Sequence, residues 1–184
     1  MKVIGIVGMP ASGKGEASKI ARDLGIPVVV MGDAIRERAA EAGLPATDAN
    51  LGAMSGKLRS ELGMDAIARI TIPVIEAASA PVVLVDGIRG DYEVAAFRER
   101  FPEFTLIGIV SSFETRYARL ANRGRSDDSL TAEELRARDE RELGWGLGRA
   151  LAQADYTVVN EGTLEEFVAE VRALLCRPAA GGRE

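Results

Sequence analysis

Gly8-Met-Pro-Ala-Ser-Gly13-Lys14 has the residue types and spacing of a phosphate cradle, G-x-x-x-x-G-K. Glycines at its two ends let backbone N–H groups turn inward without a Cβ in the way. They do so at a helix N-terminus, where the macrodipole is positive. Lys14 adds a mobile positive charge for terminal phosphates, and Gly8, Met9, Pro10, Ala11, Ser12, Gly13, Gly15 and Glu16 around it become candidate nucleotide contacts. The residue after the lysine is Gly15, so the Ser/Thr hydroxyl that commonly binds magnesium is missing. A plain glycine-rich turn with a surface lysine carries the same letters, but the flanks favour phosphate. Val3, Ile4, Ile6 and Val7 form an apolar, β-branched run suited to a strand buried on both faces. Ala17, Ile20, Ala21 and Leu24 then repeat at i, i+3, i+4 and i+7, as in a helix. A dinucleotide fingerprint fits less well, because Gly13-Lys-Gly15-Glu-Ala-Ser18 lacks the third glycine.

Val82-Val-Leu-Val-Asp86-Gly87 is a second candidate: an apolar strand ending in an aspartate, the arrangement of a Walker-B carboxylate that orients magnesium. Ile88-Arg89 follows at once. Arg116, Arg119 and Arg123 fall at i, i+3 and i+7, one face of a helix and a costly like-charge row unless anions lie opposite. Neutralisation by Glu114, Asp127 or Asp128 on a solvated face is the other reading. Arg36 lies one turn into a helix that follows a strand, whereas Arg138 and Arg141, flanked by Asp139, Glu140 and Glu142, read equally well as surface. Phosphoryl transfer asks for little covalent help; charge must be neutralised and oxygens held in line, which lysine, arginines and magnesium can do. Trp145 and Cys176 read as packing residues.

The elements that must position these groups alternate. Val28–Met31 reads as a second strand, Val82–Asp86 as a third, Thr105–Val110 as a fourth and Tyr156–Val159 as a fifth, with helical patterns between them. After the second strand, Gly32-Asp33-Ala-Ile-Arg36 opens a helix with Asp33 as cap or first-turn acid, and Gly43-Leu-Pro-Ala-Thr-Asp48 breaks the chain. Two further helical patterns start at Leu51 and Ile67, the latter with Pro73 as an expected kink. Thr131-Ala-Glu-Glu134 and Thr163-Leu-Glu-Glu166 are capping boxes, and Gly144, Gly146 and Gly148 break a helix near Trp145.

A chain of 184 residues with 47% hydrophobic content suffices for one core and is most simply one domain with insertions. A net charge of −5 argues against a dedicated nucleic-acid or anionic-membrane partner. Histidine is absent, which excludes histidine triads and histidine-ligated metals; the single cysteine excludes an intrachain disulfide or cysteine metal cluster. No apolar stretch reaches the ~18 residues of a membrane span, and the expected compartment is the cytoplasm.

Gly8-Met-Pro-Ala-Ser-Gly-Lys-Gly15, Met31-Gly-Asp-Ala-Ile-Arg36, Asp86-Gly-Ile-Arg89 and Arg119-Leu-Ala-Asn-Arg123 together resemble adenylate kinase and its nucleoside-monophosphate kinase relatives, most closely the archaeal UPF0200 family. The resemblance implies a three-layer P-loop α/β fold with a parallel five-stranded sheet in order 2-3-1-4-5, a helical acceptor insert and a short lid. It places the core at 1–31, 80–122 and 143–176, the insert at 32–79, the lid at 123–142 and a frayed tail at 177–184. It further implies ATP and Mg2+ as cofactors. Lys14 and its loop would hold the ATP phosphates, Arg119 would stack on the donor base, Arg123 would bind donor phosphate, and Arg138 and Arg141 would close on the transferring group. Arg36 and Arg89 would grip the acceptor phosphate, with Asp33 and Glu93 near the acceptor, Glu93 close to where the family reads adenine. Asp86 would orient magnesium through water.

Glu16 stands where adenylate kinases carry threonine, and Met31 replaces the threonine before Gly-Asp, so the acceptor base need not be adenine. Two other functions stay open. The ending Ala152-Gln-Ala-Asp-Tyr-Thr-Val-Val-Asn160-Glu-Gly-Thr163 also resembles dephospho-coenzyme A kinase, in which an aspartate such as Asp33 would act as base. A regulatory or assembly ATPase acting through a partner is the third. Monomer and small homo-oligomer are equally open.

Overall fold

The computed structural model describes residues 1–121 and 131–177. Its sheet has five parallel strands in the order β2-β3-β1-β4-β5: β1 (Lys2–Val7), β2 (Val28–Val30), β3 (Val82–Ile88), β4 (Phe104–Val110) and β5 (Tyr156–Val159). The expected order is the observed one. β1 sits centrally because its side chains are apolar on both faces, and Val3, Ile4, Ile6 and Val7 are all essentially buried.

Alternation along the strands splits the core in two. Ile4 and Ile6 of β1, Leu84 of β3 and Ile107 and Ile109 of β4 face α1 (Lys14–Asp23) and α9 (Leu164–Leu175) through Ala17, Ile20, Phe167 and Val171. Val3, Val7, Val83, Val85 and Leu106 face the opposite layer. That layer comprises α2 (Met31–Glu41), α3 (Asp48–Leu62), α4 (Ala66–Ala77), α5 (Asp91–Arg100) and α8 (Leu147–Ala152). α6 (Phe113–Ala121) and α7 (Ala132–Gly144) complete the described helices. Gly5 is required where the second layer meets β1, since a Cβ there would lie 2.5 Å from Ile88 Cδ1 and 2.7 Å from the Phe104 ring.

The chain leaves β1 toward β2, but leaves β3 in the opposite direction, across β1 to β4. The crevice outside the carboxyl ends of β1 and β3 is therefore the switch point at which open parallel sheets bind ligands. Gly87, at φ 105°, makes a bulge that shifts the β1/β3 register between Ile6 and Val7.

Three boundaries differ from expectation. Met31 begins α2 rather than ending β2, because its 2% exposed side chain packs in the core while Val30 takes the extended cap position. α3 starts a turn before Leu51: Thr47 Oγ1 accepts the Asn50 N–H at 3.3 Å, so Thr47-Asp48, read as part of a break, is an N-cap. The expected lid end at 142 falls inside α7, which runs unbroken to Gly144 from the capping box at Thr131. Residues 122–130 and 178–184, including the rest of the expected lid and all but Arg177 of the expected tail, lie outside the described residues. Arg177 itself is held: its carbonyl accepts from Lys2 Nζ at 2.7 Å and its guanidinium lies 4.9 Å over the Tyr156 ring. No described helix is long and apolar enough to cross a membrane.

Candidate functional site

The loop between β1 and α1 is anchored from below. Asn160, after β5, donates Nδ2 to the Ser12 carbonyl at 2.9 Å, and a Cβ on Gly13, at φ 120°, would meet the same nitrogen at 2.4 Å. Ala11 adopts φ 60°, a left-handed conformation costing a non-glycine residue about 1–2 kcal/mol. Gly8, Met9 and Ser12 do not line the cleft: Gly8 and Ser12 are buried and Met9 packs against the core. Pro10, Ala11, Gly13, Lys14, Gly15 and Glu16 line an open cleft.

Into that cleft the fold brings groups from five separate segments. Lys14 and Glu16 come from α1, Arg36 from α2, Asp86 and Arg89 from the end of β3, Arg119 from α6, and Arg138 and Glu142 from α7. Lys14 Nζ folds back onto the Gly8 and Met9 carbonyls at 2.5 and 2.9 Å. Arg119 reaches the Ser111 hydroxyl at 3.0 Å and the Asn160 carbonyl at 2.9 Å, which seats it over the loop's anchor. Glu16 pairs with Lys19 at 3.6 Å.

A narrower pocket adjoins the cleft. Arg36, Arg89 and Arg138 line both, as do Gly32 and Gly87, and so mark the junction. The pocket's own walls include Ile35, Leu51 and Ser55, with Asp48, Arg141 and Trp145. Arg141 is therefore in the pocket rather than the cleft, donating to both Asp48 carboxylate oxygens at 2.8 Å. Arg138 Nε lies 3.2 Å from both Asp48 and Glu142.

Glu142 anchors this wall. Only 1% exposed, it pairs with Arg89 and Arg138. Burial pushes its carboxyl up, but Arg89, Arg138 and Lys14 outweigh that and hold it below the ordinary range. Burial brings the Lys14 ammonium down from 10.5 to about 8, with Arg89 and Arg138 acting in the same direction and Glu142 and Asp86 against. Because the folded value lies below the unfolded one, the ligand-free fold gains stability as pH rises from about 8 toward 10.5. Phosphate oxygens beside the lysine would restore its charge. Nucleotide binding at pH 8 is therefore expected to draw in a proton, and affinity to fall at higher pH. Calorimetric titrations in buffers of different ionisation enthalpy measure this uptake; heats independent of the buffer contradict it.

Several expected site residues are placed elsewhere. Glu93 is fully buried behind the cleft, paired with Arg59 at 2.7 Å and accepting the Arg89 backbone N–H at 2.7 Å, so it braces Arg89 and cannot read an acceptor base. Asp33 lines neither pocket; it is exposed at the rim and pairs with Arg36 at 2.8 Å. Arg116 does not join a solvated row. It is buried and bound bidentately by Asp139 of α7 at 2.7 and 2.9 Å, while Asp127 and Asp128 lie outside the described residues. Arg123 lies outside the described residues.

Trp145, read as packing, forms a pocket wall with the Arg59 guanidinium 4.3 Å from its ring centroid. Asp48 and Glu142 were also missed as site residues. Glu142 had a local signal, its i+4 spacing from Arg138; Asp48 had none, since its arginine partners are 90 and 93 residues away.

Magnesium suits the oxygen chemistry of the cleft. Among the described residues no cluster of three or more Asp, Glu, His or Cys could hold an ion alone. A hard cation here would take phosphate oxygens and waters, with Asp86 as one of the carboxylates that line the cleft beside Glu16 and Glu142.

The AAA domain family matches this chain over residues 7–136. The chain is 82% identical to the UPF0200 protein of Methanoculleus marisnigri over 184 residues, covering all of both chains. It is 61% identical to that of Methanoregula boonei over 175 residues, covering 95% of this chain and 96% of the relative. Among solved structures it resembles a gluconokinase from Sinorhizobium meliloti 1021 (TM-score 0.59, 21% identity, 97% of this chain and 93% of that one). It also resembles a shikimate kinase from Bacteroides thetaiotaomicron (TM-score 0.57, 19% identity, 95% and 98%). At such identities these last two likenesses concern the fold.

Proposed function

Since the chain belongs to the UPF0200 family, and to the AAA domain family through residues 7–136, we propose that it is an ATP-dependent phosphotransferase acting on a nucleoside monophosphate or a similar phosphate-bearing acceptor. The observation that carries this reading is the junction: Arg36, Arg89 and Arg138 line both the phosphate-loop cleft and the narrower pocket. Two anions approaching from the two sides meet at these cations, which is what an in-line transfer needs.

In this reading the loop amides and Lys14 hold the β- and γ-phosphates of ATP. Arg119 flanks the donor end. Arg36 and Arg89 hold the acceptor phosphate, and Arg138 bridges the two. Asp86 would hold a magnesium ion through water beside the phosphate oxygens, and that ion would supply positive charge for the transferred group. The chain's part is to orient both anions and exclude water. Asp33, exposed and engaged by Arg36, is poorly placed to act as a base on a hydroxyl acceptor, which weighs against the dephospho-coenzyme A kinase alternative.

A panel of nucleoside monophosphates and dephospho-coenzyme A incubated with labelled ATP and magnesium tests the reading. Label on a nucleoside diphosphate is expected. Label on coenzyme A favours the hydroxyl-acceptor alternative, and release of free phosphate alone, stimulated by a protein or RNA partner, favours an ATPase.

Glu16 provides a separate check, because its carboxylate lines the cleft where ATP phosphates would lie. Glu16→Gln is expected to tighten metal-free ATP binding about threefold, an effect that shrinks with added salt. Weaker binding in the variant contradicts the placement.

A further inference from the structure

Asp86, at the carboxyl end of β3, is held from behind. Ser18 Oγ donates to its Oδ2 at 2.7 Å from α1, 68 residues earlier in the chain. Ser18 lies one helical turn after Lys14, is 2% exposed, and does not line the cleft that Asp86 lines. A serine inside a helix ordinarily bonds back to the carbonyl four residues earlier or faces water. Here its hydroxyl spans from helix to sheet instead. At the position directly after Lys14, where a hydroxyl commonly meets both magnesium and the Walker-B carboxylate, this chain has Gly15.

We propose that Ser18 is a positioning residue for Asp86: it fixes the carboxylate so that its remaining acceptor capacity faces the hydrated magnesium of bound Mg·ATP, taking over from one turn along α1 the orienting half of the role that Gly15 cannot perform. This rests on the reading of the cleft as an ATP site. Ser18 itself is no metal ligand, since the carboxylate stands between it and the cleft. The bulge at Gly87, at φ 105°, breaks the strand geometry immediately after Asp86, so pleating alone does not fix where the carboxylate points; the hydroxyl supplies that constraint. A bond that merely tied α1 to β3 would influence stability and leave metal affinity alone.

The experiment uses the full chain as wild type, Ser18→Ala and Ser18→Thr. A fluorescent ATP analogue is titrated in EDTA, and Mn2+ is then titrated into the chain–nucleotide complex and followed by electron paramagnetic resonance. Ser18→Ala is expected to bind the metal-free nucleotide as the wild type does, but to hold Mn2+ about tenfold more weakly. Ser18→Thr, which keeps the hydroxyl, is expected to restore most of that affinity. If the alanine variant does not fold, Ser18→Cys, similar in volume and a weak donor, is expected to show the same loss. Unchanged Mn2+ affinity in the alanine or cysteine variant, or an equal loss in the threonine variant, overturns the proposal while leaving the nucleotide site intact. Failure of the wild type to bind nucleotide in EDTA removes the cleft reading, and this proposal with it.

Discussion

Lys14→Met is expected to lower the rate of phosphoryl transfer by about 10³-fold, the scale seen when a preorganised positive group is removed from a transition state rich in phosphate charge. No other described side chain both lines the cleft and starts from the phosphate loop with a positive charge. In the structure its ammonium bonds two carbonyls of its own loop, Gly8 and Met9. In the proposed function, phosphate oxygens would displace those carbonyls and take the charge. Methionine keeps the length and apolar stem, so folding is expected to survive while catalysis does not. Quantifying transferred label from ATP in the wild type and the variant, alongside thermal unfolding of each, separates the two. A variant within about tenfold of wild-type turnover contradicts the assignment of Lys14.

Glu142→Ala is expected to destabilise the ligand-free protein by about 3–5 kcal/mol, since removing one member of a buried ion pair strands its partners without compensation. Arg89 and Arg138 both contact this carboxylate, and Lys14 lies within its electrostatic reach. Urea unfolding measures the loss directly, and a shift under about 1 kcal/mol contradicts the placement. Bound ATP supplies negative charge to the same cations, so saturating nucleotide is expected to raise the midpoint of the variant more than that of the wild type. In the wild type the carboxyl is held below its ordinary 4.5. Its stabilisation is therefore fully present above pH 4.5 and fades as pH falls through the folded value.

What was legible beforehand was local. The phosphate loop declares itself because glycine spacing, a lysine and the flanking periodicities all fall within residues 2–24. The strands were visible through their β-branched runs, and the caps of α7 and α9 through Thr-x-x-Glu boxes that both form. The chemistry of the second pocket was not visible, because it is assembled at long range. Asp48 meets Arg141 across 93 residues, and Arg89 meets Glu142 across 53. Glu93 shows the limit of carrying a role across by position: an acid near the right place turns inward to Arg59 because α5 presents that face to the core. Arg116 likewise satisfied the helical spacing of an anion-binding row, yet burial against Asp139 decided its use. Trp145 looked like packing because nothing local shows that Arg59 and Arg141 approach its ring.

The central claim, that Lys14, Arg89 just after β3 and the arginines of α2 and α7 converge on one site for two anions, is tested most directly by a calorimetric titration with two nucleosides bridged by a polyphosphate chain. One molecule is expected to bind per chain and to displace ATP. Lys14→Met and Arg89→Met, one at each end of the contact, are each expected to weaken it at least about tenfold. Two independent molecules per chain, or wild-type affinity in Arg89→Met, would contradict the account.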